Sequence, residues 1–243
     1  MAEYHLPDAI LLEYATGVAD PGHALIAACH LTLCPRCRAR VAELEAFGAA
    51  LVLGDDEGAP ADPSPDAFAD RLLAEVFDTS SAAQLDAASE ALGSDLDLVE
   101  PALALEPPEQ RPREGVFPWP LQRVIGPFED IPWRTPLPGL QTFDFQLPGA
   151  TTITRMTRAR AGMKVARHDH RGLELDLILA GGLHDRTRGG EFERGDIQSA
   201  SEGVTHSLEI LPGEPCLILS VNEGNFVPDG LVSRLLYRYL GWS

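Results

Sequence analysis

The sequence predicts an α+β chain in two parts: a small helical domain in front and an all-β sandwich or barrel behind. Three observations carry this. Apolar residues recur at helical spacing up to Gly54, the middle of the chain is rich in acids, proline, glycine and alanine, and the remainder breaks into short strand-like runs punctuated by glycine and proline.

The first helix is expected over residues 7–18, where Ala9, Ile10, Leu12 and Ala15 fall at helical intervals and Gly17 ends the pattern. Asp20-Pro21 opens a second, because an acceptor side chain followed by proline suits the cap and first helical positions. A third should start near Pro35 and run through Val41, Leu44, Phe47 and Leu51 to Gly54. The stretch 54–66 (GDDEGAPADPSPD) has linker composition, and helical periodicity returns at 67–77. This gives a helical domain over 1–78. Residues 79–120 end in EPPEQRPREGVFPWP, whose prolines predict an extended linker. Strands are expected near 141–147, 151–156, 173–179 and 216–221, within a β domain over 121–243. The closing segment 231–240 suits a strand or a short helix equally.

The formal net charge of -18 is unevenly spread, at -10 for residues 1–78, -6 for 79–120 and only -2 for 121–243. Such an acidic front half repels phosphate backbones, so direct nucleic-acid binding is disfavoured and a basic protein partner favoured. No apolar run reaches the roughly 18 residues of a membrane span, and the N-terminus lacks a secretion-signal layout; a cytoplasmic location with no membrane contact is expected.

His30, Cys34 and Cys37 follow one another as His-x3-Cys-x2-Cys at the junction of the second and third helices. One turn can present all three to a single ion, and thiolate plus imidazole suits zinc. The nearest candidate for a fourth ligand is His5, whose recruitment would staple the first helix to the other two. A domain this small has a thin core, so zinc binding of order 10 kcal/mol could decide whether it folds. A dithiol redox reading of Cys34-Pro-Arg-Cys37 would need a βαβ setting, which the helical pattern does not supply. His23 reads as solvated on a polar face, and Cys29 as a small buried hydrophobe.

Residues 5–53, with His5, His30-x3-Cys34-x2-Cys37 and the continuing RARVAELEAFGAAL, resemble the zinc-binding domain of bacterial anti-sigma factors. The resemblance is to the ChrR type, in which that domain is followed by a cupin. It implies a helical clamp on an extracytoplasmic-function sigma factor that blocks access to core RNA polymerase.

The segment from Gly162 to Gly181 matches the first cupin motif, G-x5-H-x-H-x3-E-x6-G, at every fixed position, and so resembles a jelly-roll cupin barrel. His168 and His170, two apart on a strand, share a face, and Glu174 returns to it beyond the Arg171-Gly172 corner. His206, about eleven residues past the Gly195-Asp196 turn, is the candidate for the fourth ligand, though its VTHSLEI flank departs from the usual second motif. Three imidazoles and a carboxylate suit a divalent metal, zinc first, with manganese, iron or nickel also compatible. His184 reads as a surface loop residue and Cys216 as a buried, inert thiol. In the ChrR type the cupin is tied to a response to singlet oxygen or related oxidants that frees the sigma factor; no catalysis is then required. Two alternatives remain at this point: a metal-dependent dioxygenase or isomerase, and a sensor of metal occupancy itself.

Overall fold

The computed structural model describes residues 2–53, 116–224 and 226–228, together with Arg238. The helix expected at 67–77, most of the stretch read as linker and nearly all of the closing segment lie outside these residues. All of the described residues except Leu53 fall within one compact unit, built from Met1–Val52 and Glu114–Ser243.

Three helices lead: α1 (Asp8–Ala15), α2 (Pro21–Leu33) and α3 (Pro35–Leu53). Asp20 caps α2 by accepting the Gly22 N–H at 2.8 Å, and Pro21 takes the first helical position, where a missing N–H costs nothing. The helix stops at Cys34, which leaves helical geometry (φ -113°, ψ 103°) while its N–H still reaches the His30 carbonyl at 2.8 Å. The Cys34 sulfur then sits 3.4 Å from the Cys37 N–H, in the position a serine would occupy when capping α3. One residue thus ends a helix, starts the next and turns its sulfur toward the junction.

A short helix, α4 (Trp119–Ile125), starts two residues inside the stretch expected to be an extended linker, and Pro118-Trp119-Pro120 opens it instead of holding the chain straight. Leu121 and Phe117 are buried in the apolar cluster that α2 also enters, and this packing overrides the local proline content.

Among the described residues eleven strands follow: β1 (Arg134–Leu137), β2 (Leu140–Phe145), β3 (Ile153–Ala159), β4 (His168–His170), β5 (Glu174–Ala180), β6 (Gly182–Asp185), β7 (Glu191–Glu193), β8 (Ile197–Ala200), β9 (Leu208–Ile210), β10 (Cys216–Asn222) and β11 (Phe226–Pro228). They form a six-stranded antiparallel sheet in the order β1-β2-β3-β10-β5-β8, a three-stranded sheet β7-β6-β9 and the pair β11-β4. Strands β5 and β10 are buried along nearly their whole length, and their alternation explains why. Leu175, Leu177, Leu179, Leu217, Leu219 and Val221 share one apolar cluster with the helices, whereas Ile178, Cys216 and Ile218 join Leu183, Phe192 and Ile210 in a second. The large sheet is therefore sandwiched, with helices on one face and the barrel interior on the other. Cys216 is fully buried, as its sequence setting suggests, and burial pushes its thiol up to about 12; Cys29 is buried in the same way.

Two histidines differ from expectation. His23 is not solvated: it is 5% exposed, because Gly22 lies so close against Thr152 and Val221 that its neighbour is carried under the barrel's edge, 3.9 Å from Glu223 and 4.0 Å from Glu13. His184 is not in a loop but on β6, with Nδ1 shielded from solvent.

Asp20 does more than cap. Its carboxylate also accepts from Thr151 N–H (2.7 Å), Thr151 Oγ1 (2.9 Å) and Thr152 Oγ1 (2.6 Å), tying α2 to the approach to β3. These bonds hold its pKa far below the usual carboxylate value, although burial pushes the other way. A lowered native pKa gives stability that is fully present above the unfolded value near 4 and is lost progressively as pH falls from there toward the native value. Asp20→Ala is expected to cost about 1–2 kcal/mol and to flatten the acid limb of the melting-temperature profile between pH 5 and 3; an unaltered limb would refute this role.

Candidate metal centres

The first ligand group lies where α2 meets α3. His5, His30, Cys34 and Cys37 offer donor atoms that all fall within 4.8 Å of one another. Cys34 Sγ is 3.4 Å from His5 Nδ1, and Cys37 Sγ is 3.3 Å from His30 Nε2. Tetrahedral zinc, with bonds of about 2.3 Å to sulfur and 2.0–2.1 Å to nitrogen, spaces such neighbours roughly 3.5 Å apart. The His30 ring is oriented from behind: Nδ1 donates to the Gly195 carbonyl at 2.9 Å, so Nε2 turns its lone pair inward. Burial lowers the His30 pKa to about 4, keeping the imidazole in its ligating neutral form, and raises the Cys37 thiol to about 11, with the nearby Cys34 adding to the rise. A thiol so disfavoured as an anion needs a cation to ionise. Donor set, spacing and tautomer all fit zinc. His5 is the half-exposed member, with the Arg36 guanidinium 3.2 Å from its Nε2.

The second group lies inside the barrel. His168 and His170 come from β4, Glu174 opens β5 beyond the corner, and Gly172 holds that corner at φ +90°, where an added Cβ would also collide with Glu223. His206 arrives by a backbone bridge, exchanging N–H···O bonds of 3.0 Å in both directions with His168. The three Nε2 atoms converge: 2.8 Å from His170 to His206, 3.1 Å from His206 to His168. Glu174 Oε2 lies 3.1 and 3.4 Å from the His170 and His206 rings and receives no hydrogen bond, although the side chain is almost wholly buried.

Two of these rings have their tautomers fixed. His168 Nδ1 donates to the Ala166 carbonyl at 2.7 Å. With the Gln198 amide oriented so that both its ends are satisfied, His206 Nδ1 donates at 3.0 Å to the amide oxygen, which also takes Arg188 at 3.0 Å while the amide nitrogen gives to Asp176 at 3.2 Å. Both Nε2 atoms therefore aim lone pairs at each other, an arrangement that is repulsive until a cation lies between them. Burial lowers the pKa of His168 to about 4 and of His170 to about 3, and raises Glu174 to about 8. A divalent metal fits, supplying the charge that makes an ionised Glu174 favourable beside neutral imidazoles; separations of 2.8–3.4 Å suit bonds of about 2.1 Å in either four- or six-coordinate geometry.

All eight residues singled out in the sequence thus fall into two sets of four. Sequence reasoning missed the groups behind them: Gln198, Asp176 and Arg188 around His206, and Gly195 behind His30. The only signal for these was the Gly195-Asp196 turn, whose contact with α2 joins residues 165 apart in the sequence. A cleft of about 630 Å³ between Leu179 and Glu214 contains none of the eight, whereas one of about 410 Å³ opens beside His5 and Cys37.

The chain thus joins a helical His2Cys2 ligand group to a β barrel that gathers three imidazoles and a carboxylate. Residues 121–226 match the family model described as the ChrR cupin-like domain. Over 238 residues, 97% of either chain, the sequence is 32% identical to the anti-sigma-E factor ChrR of Cereibacter sphaeroides. A chain from the crystal structure of Rhodobacter sphaeroides SigE in complex with the anti-sigma ChrR superposes with a TM-score of 0.62 at 29% identity, covering 91% of this chain and 99% of that one. The chain belongs to the ChrR family of anti-sigma factors, which are regulators rather than enzymes. No described helix is long and apolar enough to cross a membrane.

Proposed function

We propose that this protein holds an extracytoplasmic-function sigma factor inactive in the cytoplasm and releases it when singlet oxygen or a related oxidant acts on the cupin. The helical domain (1–78) is the clamp, 79–120 the connection and 121–243 the sensor. His5, His30, Cys34 and Cys37 hold one zinc that sets the angle between helices; His168, His170, Glu174 and His206 hold a second divalent metal, zinc in the first instance, with manganese, iron or nickel as alternatives. The observation that carries the reading is the presence of both ligand sets in a single chain that aligns end to end with an anti-sigma factor. Support comes from Leu12, Val18 and Phe47, which are half to three-quarters exposed on or beside α1 and α3, and from an acid excess that steers a basic partner.

The test is co-purification of the full-length chain with the sigma factor of its own cells, before and after photosensitised singlet oxygen. A one-to-one complex that dissociates on illumination, and persists in His168→Ala, is expected. Equal release from His168→Ala would overturn the cupin as sensor, and no sigma factor in the complex would overturn the clamp.

A further inference from the structure

Four consecutive residues join the two ligand groups. Gly195 offers its carbonyl to His30 Nδ1 at 2.9 Å. Asp196, buried, accepts the Glu3 and Tyr4 N–H groups on Oδ1 at 2.6 and 3.1 Å and the Glu193 N–H on Oδ2 at 2.8 Å, so it fixes the backbone leading directly into His5. Ile197 donates its N–H to the Tyr4 carbonyl at 3.1 Å and starts β8. Gln198, fully buried, takes the Nδ1 hydrogen of His206 and bridges to Asp176 and Arg188. In order, the stretch holds His30, the residues before His5, the edge of the large sheet and His206.

The geometry points to residues 195–198 as a link through which metal in the barrel sets how firmly the helical centre keeps its zinc. The inference rests on both groups holding metal, as proposed above. A metal drawing in His206 Nε2 fixes that ring, whose Nδ1–H fixes Gln198 within β8; the turn before it then keeps the Gly195 carbonyl against His30 and Asp196 against residues 3 and 4. With the barrel metal gone, inward-facing lone pairs push His168 and His206 apart, and the movement of His206 is passed by hydrogen bonds and three peptide units to both zinc-bearing segments. Interior packing transmits such shifts because it does not deform smoothly. Asp196 and Gln198 are positioning residues in this scheme, touching neither metal.

The readout is the rate at which Cys34 and Cys37 react with an aromatic disulfide reagent when a chelator is added to the zinc-loaded full-length protein. Cys29 and Cys216, both fully buried, stay silent on this timescale. Emptying the barrel centre with His170→Ala is expected to accelerate the reaction at least about fivefold, the lower end of typical coupling between sites. In Asp196→Ala the rate should be high with either barrel, shrinking the ratio below about twofold, whereas Asp196→Asn, which retains an oxygen for residues 3 and 4, should preserve it. Gln198→Ala cuts the link at its other end and, at saturating barrel metal, should react as fast as His170→Ala; it carries the test if Asp196→Ala fails to fold by circular dichroism. An unchanged rate in His170→Ala, or an undiminished ratio in both link variants, would overturn the proposal. Thiols that react at once in the wild type before chelator is added would overturn the metal reading itself, and the link with it.

Discussion

Replacing Cys34 by serine is expected to strip the helical centre of zinc and abolish capture of the partner while leaving α2 and α3 individually helical. The sulfur has two functions, and serine separates them. A hydroxyl can still receive the Cys37 N–H that the thiol faces at 3.4 Å, so the start of α3 stays capped. It is a poor zinc ligand beside His5, His30 and Cys37, so the metal's contribution, of order 10 kcal/mol for structural zinc, is lost. Without that contribution α1 and the segment carrying His5 lose their tie to the junction. Metal analysis should find one equivalent fewer zinc than in the wild type, far-ultraviolet dichroism should fall only slightly, and pull-down of the sigma factor should fail. Cys29→Ala is the contrasting case, because that thiol is buried in the apolar cluster and is not among the four gathered donors. It should keep its zinc and its partner, and a loss of either would sink this assignment.

Glu174→Leu should move stability and sensing in opposite directions. In the metal-free barrel this carboxyl is buried, its Oε2 receives no hydrogen bond, and its pKa is raised to about 8. A raised carboxyl pKa stabilises its protonated form, so the group's contribution to stability declines as pH rises from the unfolded value near 4 through the native value. Replacing it with an apolar side chain removes that penalty, and the metal-free variant should gain about 1–3 kcal/mol at pH 8, some 2–10 °C in melting temperature, with little gain at pH 4. The same change deletes the one anionic ligand of the barrel, so metal affinity should fall by about a hundredfold or more and oxidant-triggered release should disappear. Calorimetry of the stripped protein at both pH values, beside metal titration, reads both effects. A variant less stable than the stripped wild type at pH 8 would show that the cavity left by the shape change outweighs the removed carboxylate.

The two ligand sets were legible because each is local. Cys34 and Cys37 sit within one turn, His168, His170 and Glu174 within one strand and one corner, and such spacings survive whatever the rest of the chain does. His206 depends on pairing between distant segments, and the bridge to His168 supplies the reason it lies opposite. His23 was misread because its own helix looks polar around it; what buries it is Glu223, two hundred residues away, and the close approach of Gly22 to Thr152. Trp119–Ile125 was misread for the same reason, since proline content describes the chain locally and Leu121 is buried by α2 and the sheet behind it. Helical and strand periodicity announced an apolar face on each part without announcing that the faces would meet.

That meeting constrains how the molecule can be divided. Strand β8 is the last in the large sheet, and an unfinished strand is a template on which another chain can add itself. Here Tyr4 satisfies Ile197, and the Tyr4 ring lies tilted against Phe192 beside it, with centroids 4.3 Å apart. The helical part therefore seals the barrel's open margin as well as covering its outer face. Neither half is a detachable cassette: a barrel transplanted alone onto another effector would carry a sticky border, and a chimera that respected the sequence boundaries at 78 and 121 would still have to supply a substitute for residues 3 and 4.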